Sequence, residues 1–139
     1  MIEKGADVEA KDQNRSTALI FSALGSQESV GLLLLEQGAD ANAQNKDGNT
    51  ALIVSAEKGL DRLAVKLIEK GADVEAKDQN RSTALIFSAL GSQESVGLLL
   101  LEQGADANAQ NKDGNTALIV SAEKGLDRLA VKLIEKGAD

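Results

Sequence analysis

The chain has no cysteine, proline, histidine, tryptophan or tyrosine, and its only aromatics are two phenylalanines, Phe21 and Phe87. Without cysteine there is no disulfide framework, no thiolate metal site and no cysteine nucleophile. Without histidine the common zinc sets and the usual acid–base residue near neutral pH are also missing. With almost no aromatics, a core has to be built from Ala, Leu, Ile and Val. Long apolar runs are lacking too. The four leucines at 32–35 form the longest leucine run, far short of the ~20 residues that span a bilayer. Positive charge is in deficit, with a net charge of −7. Each 66-residue copy contributes −3, from seven Lys and Arg against ten Asp and Glu. Nucleic-acid binding rests on clustered cations, so nucleic acid is excluded as a partner, as are a membrane and a small-molecule substrate. The acidic residues read as solvated faces that keep the chain soluble. The start of the chain has no signal-peptide character. A soluble, intracellular setting is expected for a natural chain, and the sequons at Asn14 and Asn80 are expected to stay unmodified.

What is present is repetition. Residues 2–67 recur letter for letter as 68–133, and 134–139 begin a third copy. Each 66-residue period divides into two related halves of 33. A fixed period of this length points to a stack of small units, none of which buries its apolar side alone. One half opens on the polar stretch Asp40-Ala41-Asn42-Ala43-Gln44-Asn45-Lys46-Asp47-Gly48, whose Asn, Asp and Gly favour turns. Thr50 then stands as an N-cap, with Leu52, Ile53 and Ala56 at helical spacing up to Gly59. A second helix is predicted from about Asp61 to Lys70, its stripe made of Leu60, Leu63, Ala64, Leu67 and Ile68, with Gly71 closing it. The other half follows with Thr17, Leu19, Ile20 and Ala23, then Gly25, then Val30, Leu33 and Leu34, then Gly38.

This pattern resembles the ankyrin repeat. The segments Gly38-Ala39-Asp40-Ala41-Asn42-Ala43 and Gly71-Ala72-Asp73-Val74-Glu75-Ala76 look like that family's Gly-Ala-Asp-x-Asn-Ala. Asp47-Gly48-Asn49-Thr50-Ala51-Leu52 looks like its Asp-Gly-x-Thr-Pro-Leu. The resemblance implies an all-α, ankyrin-like solenoid of stacked helix-turn-helix units with protruding turns. The units run approximately over 12–44, 45–77, 78–110 and 111–139, with 1–11 a partial leading unit in one domain of 1–139. Two departures stand out. The family's Thr-Pro-Leu-His is Thr-Ala-Leu-Ile here, at Thr17 to Ile20 and three later places, so apolar packing is expected to replace a polar network at a difference of ~1 kcal/mol. Arg15 and Arg81 stand where the family has a turn glycine, a position costing roughly 1 kcal/mol for a residue with a side chain.

Sites for chemistry do not assemble. A calcium loop with Gly48 at its sixth position puts Ala43 first and Val54 twelfth, and neither ligates a cation. Carboxylate pairs such as Glu57 with Asp61, or Asp7 with Glu9, recur in each copy with no base or nucleophile beside them. The chain is expected to be no enzyme and to use no cofactor and no metal.

Protein partners remain. The family resemblance implies contacts through turn tips and the exposed side of first helices, on the concave face. Those positions are Gln13, Asn14, Ser16 and Leu24 in one unit and Lys46, Asp47, Asn49, Glu57 and Lys58 in the next. They repeat as Gln79, Asn80, Ser82 and Leu90, and as Lys112, Asp113, Asn115, Glu123 and Lys124. The other expected partner is the chain itself. Terminal units copy internal ones, so Leu19, Val30 and Leu34 at one end and Leu118, Leu129 and Leu133 at the other are expected to seek a head-to-tail neighbour. One obstacle is that 2–7 duplicates 134–139. Val65 with Leu32 offers a lateral contact. Identity that extends to solvent positions points to an engineered or symmetrised array.

Overall fold

A computed structural model describes residues 6–139. Eight helices make up its regular structure: α1 (Ala18–Leu24), α2 (Glu28–Glu36), α3 (Ala51–Lys58), α4 (Asp61–Glu69), α5 (Ala84–Leu90), α6 (Glu94–Glu102), α7 (Ala117–Lys124) and α8 (Asp127–Glu135). No strand occurs among the described residues. The fold is the all-α stack of helix pairs expected from the period.

The first helix of each pair starts where a threonine can cap it. The hydroxyls of Thr17, Thr50, Thr83 and Thr116 accept from the amides of Ile20, Ile53, Ile86 and Ile119. Each second helix ends on a left-handed glycine. At Gly38, for instance, φ is 88°, and the amide of Ala39 returns to Leu34 O at 3.0 Å. The second helices have no side-chain cap of their own. For α4 and α8 a neighbour supplies it: Glu28 Oε2 accepts from Leu63 N at 3.1 Å, and Glu94 Oε2 from Leu129 N at 3.0 Å. A carboxylate at a helix N-terminus satisfies a free amide and meets the positive end of the dipole.

First helices pack on first helices, α1 to α3 to α5 to α7, and second on second, α2 to α4 to α6 to α8. The aliphatic core between the two rows is one continuous cluster, in which Leu19, Leu35, Leu52, Leu63, Leu67, Leu85, Leu101, Leu129 and Leu133 are fully or almost fully buried. Gly31 and Gly97 let second helices approach closely. A Cβ on Gly31 would sit 2.9 Å from Leu63 Cδ1 and 2.9 Å from Ser22 Oγ.

The halves differ where their first helices end. Gly59 and Gly125 take the left-handed position after α3 and α7, with φ of 72° and 71°. After α1 and α5 it falls instead on Ser26 and Ser92, at φ 57°, while Gly25 and Gly91 stay at negative φ. Gly25 thus caps the end of α1, and the left-handed turn follows one residue later. Arg15 and Arg81 do adopt the strained conformation, at φ 63° and 64°.

Candidate protein-interaction site

The turns form the first candidate surface. Each is closed by its own side chain: Asp12 Oδ1 accepts from the amides of Asn14 and Ser16, both at 2.9 Å, and Asn45 Oδ1 from those of Asp47 and Asn49, both at 3.0 Å. Asp78 and Asn111 repeat the arrangement. Successive turns are tied by backbone bonds of 2.9 Å, from Lys46 N to Asn14 O, Gln79 N to Asp47 O and Lys112 N to Asn80 O. Main chain thus joins turn to turn. Further along the turns, Asn42 Nδ2 donates to Gly71 O at 3.0 Å and Asn42 Oδ1 accepts from Asp73 N at 2.7 Å. The result is a fixed row of polar side chains.

The second candidate surface is the pair of end faces, and here the two copies are instructive. Val96 is fully buried, whereas its copy Val30 in the first helix pair is 50% exposed. Ile53 is 2% exposed under α5, and its copy Ile119 is 50% exposed. Phe21 and Leu33 join Val30 on the first face, and Ile134 joins Ile119 on the last.

A family model described as "Ankyrin repeats (3 copies)" matches residues 1–78 and 60–139. The chain belongs to the ankyrin repeat family. A search of curated proteins found no match. Ankyrin repeats generally mediate protein–protein interaction, and proteins built of them are typically non-catalytic scaffolds.

Within this ankyrin array the turn-tip positions Gln13, Asn14, Lys46, Asp47, Gln79, Asn80, Lys112 and Asp113 are exposed. So are Leu24, Glu57, Lys58, Leu90, Glu123 and Lys124 on the first helices. Asn49 and Asn115 are half-buried. Ser16 and Ser82 are a correction: both are buried, because the residue before the threonine cap is drawn under the turn by the Asp12 or Asp78 carboxylate. Ser82 Oγ also accepts from Asn111 Nδ2 at 3.3 Å, so it serves the next turn rather than a partner.

The end-face residues need a larger correction. Leu19, Leu34, Leu129 and Leu133 are buried inside the array, and Leu118 is half-buried. They face the other helix of their own pair or the inner neighbour. Of the six positions expected at the ends, Val30 alone is truly open. The residues that do form the end faces are Phe21, Val30 and Leu33 at one end and Ile119 and Ile134 at the other. Sequence periodicity marked them as apolar or passed them over; the sign that would have found them is position relative to the unit boundary. For the lateral contact, Val65 is exposed while Leu32 packs against the core.

No group of three or more acidic residues is placed to hold a metal ion among the described residues. Three of the four carboxylates singled out by sequence accept hydrogen bonds within the array: Asp61 Oδ2 from Ser95 Oγ at 2.8 Å, Asp7 Oδ1 from Glu9 N at 2.9 Å and Glu9 Oε2 from Asp40 N at 2.7 Å. An open groove of about 410 Å³ runs between α6 and α8, lined by Leu98, Asp127, Arg128, Val131, Lys132 and Glu135. Its charged residues stand on one face of α8 beside apolar ones, the composition of a wetted outer helix surface. No described helix is long and apolar enough to cross a membrane.

Proposed function

We propose that this chain is a non-catalytic ankyrin scaffold that associates end to end with further copies of itself. The single observation that supports this reading is the change of environment between identical residues: Val30 against Val96, and Ile119 against Ile53. Each end face carries the side chains of an internal junction without its other half, and the missing half is the opposite end of the same molecule. Burial of a Val, Leu, Ile or Phe side chain contributes roughly 1.5–3 kcal/mol when complete. Between separate molecules that gain is set against an association cost of ~4–15 kcal/mol, which the covalently joined internal junctions do not meet. Association is therefore concentration-dependent and weaker than the internal contacts. A contact between unlike ends does not close, so growth continues past the dimer. The error-free copies, solvent positions included, fit an array that was engineered or symmetrised.

Sedimentation equilibrium tests this. The mass is expected to rise with concentration from the 14.5 kDa monomer through multiples of it. Added salt is expected to strengthen the effect, because copies of charge −7 repel one another at low ionic strength. A constant 14.5 kDa up to millimolar concentration would sink the reading.

A second reading is binding of a different protein to the turn tips and first helices. It is favoured by the exposed leucines Leu24 and Leu90 beside the fixed polar row. The double substitution Leu24→Ser and Leu90→Ser is expected to remove such binding and to leave the mass-against-concentration curve unchanged.

A further inference from the structure

How two copies meet is decided by backbone as well as by apolar area. Two kinds of unit junction alternate along the array. The pair α1–α2 meets α3–α4, and α5–α6 meets α7–α8, through the Glu28 and Glu94 caps. The pair α3–α4 meets α5–α6 differently. There Ser95 Oγ donates to Asp61 Oδ2 at 2.8 Å, while the turn-to-turn bond from Gln79 N to Asp47 O at 2.9 Å is common to all three junctions. Three glycines at this junction leave no room for a side chain. A Cβ on Gly48 would lie 2.9 Å from Asp78 Cα, one on Gly59 would enter the Gln93 amide, and one on Gly91 would overlap the Glu57 carbonyl oxygen.

The two ends of the chain are the two halves of this second junction. The last pair, α7–α8, has the sequence of α3–α4, and the first pair, α1–α2, has that of α5–α6. The matching glycines are present with nothing against them. Gly114 and Gly125 meet no atom within 4 Å, and a Cβ on Gly25 would touch only its own chain, Phe21 O at 3.4 Å and Gln27 Cγ at 3.5 Å. Those are ordinary contacts, and Gly25 has φ −89°, which any residue adopts.

We infer that a second copy docks in the register of the α3–α4 to α5–α6 junction, its Gly25 seated against the Glu123 carbonyl of the first. This rests on the self-association proposed above and specifies its geometry. In that register Ser29 of the incoming copy donates to Asp127, and Gln13 N donates to Asp113 O, as Ser95 and Gln79 do inside the chain. Chain ends follow the same phase. Residues at the C-terminus are held to their own array: Ala138 N donates to Leu133 O at 2.9 Å, Asn108 Nδ2 to Gly137 O at 3.1 Å and Asp139 N to Asn108 Oδ1 at 2.9 Å. In the incoming copy, Glu9 Oε2 already accepts from Asp40 N at 2.7 Å, as Glu75 does from Asp106 N. Asp139 therefore meets the incoming Val8 as Asp73 meets Val74, and the period runs on across the gap. Positions 2–7 of the incoming copy carry the letters of 134–139, and in this register Ala6 and Asp7 fall where Ala138 and Asp139 stand. Of these, 2–5 lie outside the described residues. Only one of the two segments fits, and the one with bonds to Asn108 stays. The overlap at Ala6 and Asp7 thus acts as a brake on docking.

Sedimentation equilibrium on three chains tests the register: the unaltered chain, Gly25→Ala, and a chain in which Met1 is joined directly to Val8. Gly25→Ala is expected to lower the association constant at least about tenfold, with thermal melting of the dilute monomer unchanged. The shortened chain is expected to associate more strongly than the unaltered one. Association of the unaltered chain that Gly25→Ala leaves undiminished overturns the register while self-association stands. Failure of both the unaltered and the shortened chain to associate overturns self-association itself. A shortened chain that associates more weakly overturns the brake.

Discussion

The middle of this stack and its ends are made of the same residues in the same order, so sequence is held constant while the neighbour changes. At the junction of α3–α4 with α5–α6, Ile53 and Val96 are sealed, Gly91 has the Glu57 carbonyl against it, and Ser95 reaches Asp61. At the ends, Ile119 and Val30 are half open and Gly25 has room for a side chain. The difference shows that burial in a repeat array belongs to the junction and not to the residue. Local structure is unaffected: threonine caps and turn closures are the same in both copies. In a nearly one-dimensional stack, stability is the sum of unit and interface contributions, and only the interface part differs here.

The comparison breaks most visibly at the isoleucines. Ile53→Ala empties a sealed site and is expected to cost ~2–5 kcal/mol in urea or thermal unfolding. Ile119→Ala removes a side chain that is half in water and is expected to cost under ~1.5 kcal/mol. Measurements at a dilution where the chain is monomeric keep docking from covering Ile119. Equal losses at the two positions would mean that the last helix pair is covered in solution.

Glycines give the next largest contrast. Gly91→Ala forces a methyl group into the Glu57 carbonyl, an overpacking expected to cost ~1–3 kcal/mol. The same exchange at Gly25 is expected to leave the monomer's unfolding midpoint where it was. A shared loss would place the constraint in the end of the first helix itself rather than in the neighbouring unit.

These contrasts also mark what the sequence could carry. Period, threonine caps and turn-forming Asp and Asn are local signals; they bounded α3 and α4 to within a residue or two and placed the other helices by phase, leaving the starts of α2 and α6 open. The family resemblance supplied the stacking. Missing from both was which side of an apolar stripe faces which neighbour. Leu19 and Leu129 look as apolar as Phe21 and Ile119, but the first two are sealed, Leu129 against Gly97 of the preceding unit, while the last two stay about half exposed. The caps on α4 and α8 were equally hidden, since Glu28 and Leu63 stand 35 residues apart and no local motif joins them. Buried Ser16 was missed because a serine before a helix reads as solvent-facing until the Asp12 carboxylate is seen holding its amide.

The smallest predicted effect tests the premise that the copies are alike apart from their neighbours. Arg15 and Arg81 hold φ near 63° and 64°, and the strain lies within the residue and its adjoining peptides. A left-handed conformation costs an L-residue roughly 1–2 kcal/mol. Glycine relieves that strain but adds freedom to the unfolded chain worth roughly 0.5–1 kcal/mol. Arg15→Gly and Arg81→Gly are each expected to stabilise by about 0.5–1 kcal/mol, and by the same amount. Both turns are followed by a unit of the same type, with Lys46 N and Lys112 N donating to Asn14 O and Asn80 O at 2.9 Å. Arg15 differs from Arg81 only in what precedes its unit. A larger gain at one site would therefore show that the preceding unit reaches the turn, and the boundary effect would extend from side-chain burial to backbone strain.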